Sequence, residues 1–372
     1  MAKVYTAIGL MSGTSMDGID AAIIETDGRD HLRHGPSVGI AYDPAMRARI
    51  AQAVEAFGGA TDRDSRPGIA RDVERAITIA HARAIETLCA RASLGPAAID
   101  VVGFHGQTVL HRPEIGLTIQ LGDGPALARM CGIDVVFDLR ADDMRAGGQG
   151  APLVPAYHAA LARALDLPRP VAFVNIGGVA NVTWIPAEGE PIAFDTGPGN
   201  ALIDDWCAAR IGVPVDRDGA LAASGRVDDA ALARLLAHPY FDLGLPKSLD
   251  RGDFSAAEVT SLSPQDGAAT LAAFTAATIA GAARLCPAPP LAWVVCGGGR
   301  RNPVIMDGLR ARVTGDVRAC EDLGLNGDDI EAEAFAYLAV RSLENLPLTF
   351  PGTTGVAEPT GGGRLCRYGQ AA

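Results

Sequence analysis

The stretch "VYTAIGLMSGTSMDGIDAAIIE", residues 4–25, places two apolar runs on either side of a polar turn. The first run extends from Val4 to Leu10 and the second from Ile19 to Ile24. A tight hairpin needs only about two turn residues, typically Asn-Gly or Asp-Gly. This turn is longer and is rich in hydroxyls and glycine. It also carries Asp17. We interpret it as a strand–turn–strand unit whose turn does more than connect two strands.

A second stretch of the same kind, "VAFVNIGGVANVTWI" at residues 171–185, opens the second half of the chain. Two such hairpins suggest a duplicated architecture. Amphipathic helical patterns alternate with apolar strands along the rest of the chain, which is typical of an α/β fold. Because the hairpins are antiparallel, we expect mixed sheets flanked by helices rather than purely parallel ones.

The length of 372 residues exceeds what one hydrophobic core usually supports, so we expect two domains. We place the first lobe at residues 1–135, with the turn around Gly13, and the second lobe at residues 136–349. The tail, residues 350–372, is expected to pack back on the first lobe.

Composition and charge exclude several classes of function. The net charge is −12 and no basic stripe is visible, which argues against nucleic acid and anionic membranes as partners. The seven cysteines are scattered and form no Cys-x-x-Cys pair, so neither a zinc site nor a disulfide framework is indicated. The first residues lack the pattern of a signal peptide, and we expect no membrane-spanning run. A cytoplasmic location is the simplest expectation.

Glycine-rich turns follow apolar strands at four places, around Gly13, Gly177, Gly197 and Gly297. Glycine lets backbone amides face a phosphate without an intervening side chain. Any one of these turns is explained equally well as a tight strand ending. Four on one chain favour phosphate binding, although neither the Walker pattern nor the dinucleotide fingerprint is present.

Nine motifs occur in order along the chain and give the turns a context. They are "GLMSGTSMDGIDAAIIE", "GFHGQTVLHRP", "TIQLGDGPALA", "DLRADDMRAGGQGAPLVPAYH", "NIGGVANVTWI", "FDTGPGNALIDDW", "LPKSLDRGDF", "CGGGRRNPVIM" and "IEAEAFAYLA". Together they resemble the anhydro-N-acetylmuramic acid kinases, from about residue 7 to about residue 355.

This resemblance implies two duplicated actin/hexokinase-like lobes of the ribonuclease H type, with ATP in the cleft between them. The implied reaction uses ATP and Mg²⁺ to phosphorylate O6 of 1,6-anhydro-N-acetylmuramic acid. Water is the co-substrate that opens the anhydro ring, giving N-acetylmuramic acid 6-phosphate for peptidoglycan recycling. The resemblance also implies a homodimer.

The resemblance assigns ATP binding to the first turn and to glycines of the second lobe. The implied positions are Gly13, Thr14, Ser15, Met16, Asp17, Gly18, Ile19, Asp20, Gly177, Gly178, Gly297, Gly298, Gly299 and Asn302. Asp17 is the candidate Mg²⁺ ligand, directly or through water. The alternative for Asp17 is a turn residue that bonds its own backbone.

The resemblance assigns the catalytic base to Asp195 in "FDTGPGN". Opening the anhydro bridge requires a carboxylate that takes the proton of the attacking water, as in an inverting glycosidase. We expect Asp195 at a strand end, with partial burial raising its pKa. The alternative, a cap for the helix near Asn200, is weaker because Asn200 can cap that helix itself.

Substrate contacts are assigned by resemblance to residues around the sugar. They are His105, Gln107, Arg140, Asp143, Gly197 and Lys247. Arg140 suits the lactyl carboxylate because a guanidinium binds carboxylates bidentately, and Asp138 is an alternative partner that orients it. For both Arg140 and Asp143 the alternative is a solvated ion pair of the loop. His105 is a candidate general acid or binding group, against the alternative of a structural histidine.

A further loop and the last long helix also match the family, and alternatives remain open for both. Lys247 or Arg251 in "LPKSLDRGDF" is expected to approach phosphate or sugar. Glu331 matches an acidic family position, but an acid at a helix N-terminus needs no other explanation.

Two other functions compete with this interpretation. One is a related sugar or acyl kinase of the same fold that does not open a ring. The other is a non-catalytic ATP- or sugar-responsive binding module, such as a regulator or an actin-like chaperone. A regulator would usually carry a DNA-binding motif or a basic face, and we see neither. A chaperone would need a peptide-binding domain, for which the residues after 355 are too few.

Overall fold

The computed structural model describes residues 2–369. The strands are β1 (Tyr5–Ser12), β2 (Gly18–Thr26), β3 (Leu32–Ala41), β4 (Val101–Arg112), β5 (Leu117–Leu121), β6 (Val135–Phe137), β7 (Val171–Ile176), β8 (Val179–Ile185), β9 (Ile192–Pro198), β10 (Ala292–Cys296), β11 (Asp316–Ala319) and β12 (Arg364–Cys366). The α-helices are α1 (Pro44–Ala56), α2 (Ala70–Ala92), α3 (Gly124–Cys131), α4 (Ala141–Arg145), α5 (Pro155–Ala164), α6 (Ala201–Ile211), α7 (Ala220–Ala223), α8 (Asp229–Leu236), α9 (Pro264–Ala282), α10 (Pro303–Arg310), α11 (Ile330–Leu343) and α12 (Pro351–Thr354). Short 3₁₀ turns lie at Pro96–Ala98, Pro113–Ile115, Arg217–Gly219, Pro239–Asp242, Ala257–Val259, Ala283–Leu285, Gly298–Arg301 and Cys320–Leu323.

The described residues form two compact units. Unit 1 comprises residues 2–164 and 329–369, and unit 2 comprises residues 165–328. This division differs from the expected boundary between residues 135 and 136. Helices α4, α5 and α11 lie beyond that boundary, yet they contact strands of the first sheet and therefore belong to unit 1. The tail also lies in unit 1, where β12 pairs with β6.

Each unit contains one mixed sheet. In unit 1 the strand order is β12-β6-β4-β1-β2-β3, with β5 paired to β4, and in unit 2 it is β11-β10-β7-β8-β9. Strands β1, β2 and β3 form an antiparallel meander, and β4 and β6 continue the sheet in parallel with β1. Strands β7, β8 and β9 repeat the meander, and β10 and β11 repeat the parallel extension. The prediction of a duplicated α/β architecture with mixed sheets is confirmed.

Helix α9 forms the core of unit 2. Within the described residues, Pro264–Leu285 is one helical segment long and apolar enough to cross a membrane, contrary to the expectation that no run approaches this. However, 67% of its most apolar window is buried inside the protein. It packs against α6, α7, α8, α10 and β9. We therefore interpret it as a core helix.

Helix α11 lies directly on the backbone of β1 and β4 in unit 1. A Cβ atom at Gly9 would be 1.8 Å from the carbonyl oxygen of Ala332, and one at Gly103 would be 2.0 Å from that of Phe335. Side chains larger than hydrogen at these two positions would push the helix away from the sheet. The two glycines therefore set the position of α11, including its first turn.

The variant Gly103→Ala is expected to lower the free energy of unfolding by about 2 kcal/mol or more, because the added methyl has no room against a helix backbone. Urea unfolding measures this loss. Gly59→Ala is the matched control, since a Cβ at Gly59 meets nothing within 4 Å. An equal loss in the two variants would contradict the proposed contact.

Candidate active site

The turn between β1 and β2 is shaped by the neighbouring strand β4. Ser12 Oγ donates a hydrogen bond to the carbonyl of Gly106 at 2.8 Å, and Gln107 Nε2 donates to the carbonyl of Gly13 at 2.9 Å. Within the turn, the amide of Met16 donates to the same Gly13 carbonyl at 3.1 Å, with Met16 in the left-handed region at φ +55°. The turn is thus held in place by the protein itself.

The outer part of this turn exposes groups that suit phosphate oxygens. Thr14, Ser15 and Asp17 are exposed, and a Cβ at Gly13 would meet no atom closer than 3.5 Å. Ser15 Oγ donates to Asp17 Oδ1 at 2.8 Å. Asp20 is also exposed, on β2. Open backbone, hydroxyls and carboxylates therefore lie together on the surface of unit 1.

Two residues of the predicted ATP-binding stretch, Gly18 and Ile19, have a packing role. A Cβ at Gly18 would lie 2.5 Å from the carbonyl oxygen of Ile40, so only glycine fits between β2 and β3 there. The side chain of Ile19 is buried in the core of unit 1. Sheet packing is sufficient to explain both residues.

His105, on strand β4, forms a buried pair with Arg140. His105 Nε2 accepts hydrogen bonds from Arg140 Nε at 3.2 Å and from Nη2 at 3.0 Å. Burial, together with the charge of Arg140, holds the pKa of His105 well below its usual range. The imidazole is therefore neutral and its Nε2 is an acceptor, which does not suit a general acid. These two hydrogen bonds place His105 where it can orient the guanidinium of Arg140.

The loop before α5 is tied to the same arginine. Arg140 Nη1 donates to the carbonyl of Gly150 at 2.7 Å. The amide of Gly150 donates to Asp143 Oδ2 at 2.6 Å, and Thr354 Oγ1 donates to Asp143 Oδ1 at 2.6 Å. Asp143 is buried with both carboxylate oxygens engaged. These hydrogen bonds hold the loop, and they are sufficient to explain Asp143.

Asp138 does not orient Arg140. Its side chain pairs with Arg63 at 2.5 Å and with Arg364 at 3.1 Å. The alternative that Asp138 is the partner of Arg140 is therefore wrong, because a histidine and a backbone carbonyl hold the guanidinium instead.

Glu331 is a second carboxylate beside the turn, in the first turn of α11. Burial raises its pKa, the charge of Arg140 opposes this shift and the charge of Asp17 adds to it. Glu331 therefore lies near both Asp17 and Arg140. Its helix position alone could not reveal this, because the neighbours lie far away in sequence.

The described residues contain no group of three or more histidine, cysteine, aspartate or glutamate side chains that could hold a metal. Mg²⁺ at kinase sites usually binds one or two carboxylates together with substrate phosphates and water. Exposed Asp17, with Glu331 nearby, fits this kind of site. It does not form a complete cage.

Asp195 lies on β9 of unit 2 and is fixed by a loop. Its Oδ2 accepts a hydrogen bond from the amide of Leu249 at 2.8 Å, and its own amide donates to the carbonyl of Lys247 at 3.3 Å. Tyr240 Oη donates to the carbonyl of Asp195 at 2.6 Å. The expected strand end at Asp195 is wrong, because β9 stays paired with β8 through Pro198.

Desolvation gives Asp195 the property expected of a base. Burial raises the pKa of Asp195 to about 6, and the charge of Asp250 adds to the shift, while the Leu249 amide and Lys247 oppose it. A carboxylate with this pKa is ionised at neutral pH and accepts a proton more readily than an exposed one.

The turn between β7 and β8 is anchored to the start of α6. The carbonyl of Gly177 accepts from the amide of Asn200 at 2.7 Å, and that of Gly178 from the amide of Gly199 at 2.9 Å. The Asn200 side chain donates to the carbonyl of Ile176 at 3.0 Å and does not cap α6, contrary to expectation. A Cβ at Gly177 would meet nothing closer than 3.6 Å, so this turn has an open side.

The glycines after β10 are mostly required for packing. A Cβ at Gly297 would lie 2.3 Å from Asn175 Oδ1, and one at Gly299 would lie 2.2 Å from Ile176 Cγ2. Gly298 is more open, with its nearest neighbour at 3.5 Å. The turn is therefore pressed against β7, and Gly298 is the glycine best placed for a ligand.

Asn302 and Gly197 also have structural roles. Asn302 Oδ1 accepts hydrogen bonds from the amides of Val304 at 3.0 Å and Ile305 at 3.4 Å, so it caps α10. A Cβ at Gly197 would lie 2.8 Å from Thr278 Oγ1, which makes glycine a packing requirement there.

The loop with the sequence "LPKSLDRGDF" separates its two candidate cations. The ammonium of Lys247 lies over the Tyr240 ring, 4.4 Å from its centroid. Arg251 pairs with Asp205 at 2.7 Å, and both side chains are exposed. Only Lys247 is close to Asp195.

Sequence comparison identifies the family. Residues 5–366 match the family described as anhydro-N-acetylmuramic acid kinase. The chain belongs to the anhydro-N-acetylmuramic acid kinase family. It is therefore an enzyme, and its class is that of the kinases.

Relatives that carry this family name are similar over nearly their full length. One from Rhodospirillum rubrum is 56% identical over 359 residues, covering 96% of this chain and 93% of the relative. One from Rhizobium etli is 52% identical over 367 residues, covering 98% and 99%. Among solved structures, an activator of the 2-hydroxyisocaproyl-CoA dehydratase from Clostridium difficile with bound ADPNP has a TM-score of 0.45 at 13% identity, covering 91% of this chain and 96% of that one. That likeness is too distant to indicate function.

The positions assigned by family resemblance now fall into two groups. Some expose or position chemical groups, and these are Gly13, Thr14, Ser15, Asp17, Asp20, His105, Gln107, Arg140, Gly177, Gly178, Asp195, Lys247 and Gly298. Others have contacts that the fold alone explains, and these are Met16, Gly18, Ile19, Asp143, Gly197, Gly297, Gly299 and Asn302.

The variant Asn302→Ala tests the second group in this kinase. Loss of the cap is expected to lower the free energy of unfolding by about 1 kcal/mol, with the KM for ATP nearly unchanged. Asn302→Asp keeps a capping oxygen and serves as the control in urea unfolding. Unchanged stability combined with a raised KM for ATP would instead make Asn302 a direct ATP contact.

Proposed function

We propose that this kinase phosphorylates O6 of 1,6-anhydro-N-acetylmuramic acid with ATP and opens the anhydro ring with water. The products are N-acetylmuramic acid 6-phosphate and ADP. The observation that carries the proposal is Asp195, a partly buried carboxylate held on a strand with its pKa raised to about 6. Family membership supplies the substrate class, because the relatives are named for it.

The proposed reaction balances around one carboxylate. The oxygen of water forms a bond to C1 while the bond from C1 to O6 breaks. O6 forms a bond to the γ-phosphorus, and the bond from that phosphorus to ADP breaks. The proton of water goes to Asp195. A carboxylate in this role resembles the general base of an inverting glycosidase.

The phosphates of ATP are proposed to lie on the turn from Gly13 to Asp17. The open backbone and exposed hydroxyls of the turn favour this assignment. So does the hydrogen bond from Gln107 to the Gly13 carbonyl, which holds the turn in place. Asp17, with Glu331 nearby, would hold Mg²⁺, which neutralises phosphate charge when bound. The open turn at Gly177 and the exposed side of Gly298 are proposed as the ATP contacts of unit 2.

Arg140 is proposed to bind the lactyl carboxylate of the sugar. A guanidinium has five N–H groups, and Arg140 uses three of them on His105 and Gly150. Within the described residues, one N–H on each Nη therefore remains, a pair that matches two carboxylate oxygens. His105 fixes the plane of the guanidinium, so its role in binding is indirect.

Mass spectrometry of the reaction products tests the proposal directly. With ATP, Mg²⁺ and the anhydro sugar, the product should be heavier by one phosphoryl group and one water. Ring-opened N-acetylmuramic acid is the control substrate. A product heavier by the phosphoryl group alone would favour the alternative of a related sugar or acyl kinase without ring opening. Absence of any product would favour a non-catalytic binding module.

We infer a homodimer from the family resemblance and a cytoplasmic location from the cysteines. All seven cysteines lie within the described residues and all are free thiols. Free thiols are typical of a reducing compartment. We propose that the protein acts there in peptidoglycan recycling.

The variant Asp195→Asn is expected to lower kcat by about 10²- to 10⁴-fold, the range of a lost general base, while ATP still binds. The fold should persist, because a buried carboxylate with a raised pKa is costly when ionised and the amide removes that cost. Steady-state assays and ATP titration measure the two effects. Asp205→Asn, at an exposed position on α6, is the matched control, and normal turnover by Asp195→Asn would rule out this base.

The pH dependence should report the same group. Because the base must be ionised and its pKa is raised to about 6, kcat/KM should be constant above neutral pH and fall as pH drops through about 6. Stopped assays across this range measure the profile. A fall in kcat/KM centred near the ordinary aspartate pKa, about 4, would contradict a desolvated base.

A further inference from the structure

A cavity of about 490 Å³ lies within unit 2 and plays no part in the proposed reaction. It is bounded by β9, by α9 and by the segments that follow α9 and α10. Its lining combines apolar and cationic side chains, chiefly Phe194, Phe241, Leu285, Lys247, Arg284 and Arg312. No carboxylate lines it.

The three cations of the cavity have no acidic partner. Within residues 2–369, none of Lys247, Arg284 and Arg312 forms an ion pair, whereas Arg300 in the same unit pairs with Glu321 and Asp328. Lys247 is buried, with 9% of its surface exposed, and Arg284 and Arg312 are exposed. Three like charges at one cavity that no carboxylate lines give it a positive potential, which attracts an anion.

The cations also act on one another. Burial lowers the pKa of Lys247, and the charge of Arg284 lowers it further, while Asp195 opposes the shift. The ammonium of Lys247 lies over the rings of Tyr240 and Phe194, at 4.4 and 5.9 Å from their centroids. It is held by aromatic faces at the edge of the cavity, and an anion there would relieve the repulsion from Arg284.

Asp195 does not line the cavity, although its neighbours Phe194 and Thr196 do. Strand β9 has a bulge at this point, because Asn181 pairs with Asp195 while the preceding Ala180 pairs with Gly197. Thr196 is the extra residue, and its Oγ1 donates to the carbonyl of Ala180 at 3.1 Å. A ligand in the cavity would therefore lie beside the strand that carries the proposed base, without the carboxylate in its lining.

We propose that this cavity binds a small organic anion. Its carboxylate or phosphate would lie among Lys247, Arg284 and Arg312, and its apolar part against Phe241 and Leu285. This gives Lys247 a different site from the sugar contact predicted from the sequence.

Occupation of the cavity should influence Asp195, a consequence that rests on the proposed function. The carbonyl of Lys247 accepts a hydrogen bond from the amide of Asp195. Two residues further along the same loop, the amide of Leu249 donates a hydrogen bond to Asp195 Oδ2. The charges that act on Asp195 are those of Lys247, which lowers its pKa, and Asp250, which raises it. An anion that offsets the charge of Lys247 would raise the pKa of Asp195. Less of the base would then be ionised near pH 6.

Calorimetric titration of the full chain with phenyl phosphate tests binding, with excess ADP and Mg²⁺ present to fill the phosphate-binding turn. The wild type should bind one equivalent, and Arg284→Gln/Arg312→Gln should bind at least about tenfold more weakly, as expected for lost charge-assisted hydrogen bonds. Arg310→Gln is the control, because Arg310 pairs with Asp307 on α10 and does not line the cavity. No binding by the wild type, or equal binding by the double variant, would overturn the proposal.

Two further arms complete the design. Phenylacetate in place of phenyl phosphate shows whether the cavity prefers a carboxylate, and benzyl alcohol should not bind. If the double variant does not fold, Arg312→Gln alone gives the same comparison, because it leaves the pair of Lys247 and Arg284 in place.

The kinetic arm separates this inference from the proposed function. At a pH near 6, phenyl phosphate should lower kcat/KM of the wild type and leave that of Arg284→Gln/Arg312→Gln unchanged. Equal inhibition of both proteins would overturn the coupling to Asp195. Binding is measured without turnover, so failure of the kinase assay would not alter the calorimetric result.

Discussion

The contact between α11 and the backbone of β1 and β4 determines where the chemical groups of unit 1 lie. Gly9 and Gly103 are the positions that allow it, with carbonyls of α11 closer than any side chain would permit. Since helix and sheet touch through backbone, the first turn of α11 has little freedom to shift. This brings Glu331 close to Asp17 and Arg140. The packing of the helix on the sheet therefore decides which charges act on the carboxyl group of Glu331 beside the turn.

Unit 2 shows the complementary principle, in which a functional group is kept in an unfavourable state. Asp195 is desolvated on β9, and a single backbone amide, that of Leu249, binds its Oδ2. Ionising such a group costs stability, and that cost is what makes it a stronger base than an exposed aspartate. Lys247 moderates the effect, because its charge opposes the shift without forming an ion pair with the carboxylate.

The sequence predicted features that depend on local pattern and missed those that depend on distant neighbours. The duplicated hairpins and the polar turn were predictable, because apolar runs and glycines are visible in a short window. The packing role of Gly18 was not, since the carbonyl it must clear belongs to Ile40 on another strand. The local pattern explains Glu331 as an acid in the first turn of a helix, and it gives no sign that Asp17 and Arg140 lie near it. The cap at Asn302 was detectable, because asparagine followed by proline is a typical helix start.

In the proposed reaction, water opens the sugar ring while O6 takes the phosphoryl group, with Asp195 as the base. Running the reaction in ¹⁸O-labelled water tests this, with the position of the label read by mass spectrometry of the product and its fragments. One labelled oxygen is expected at C1 of the sugar and none in the transferred phosphoryl group. Label in phosphate, or an unlabelled phosphorylated sugar that keeps its anhydro ring, would contradict it.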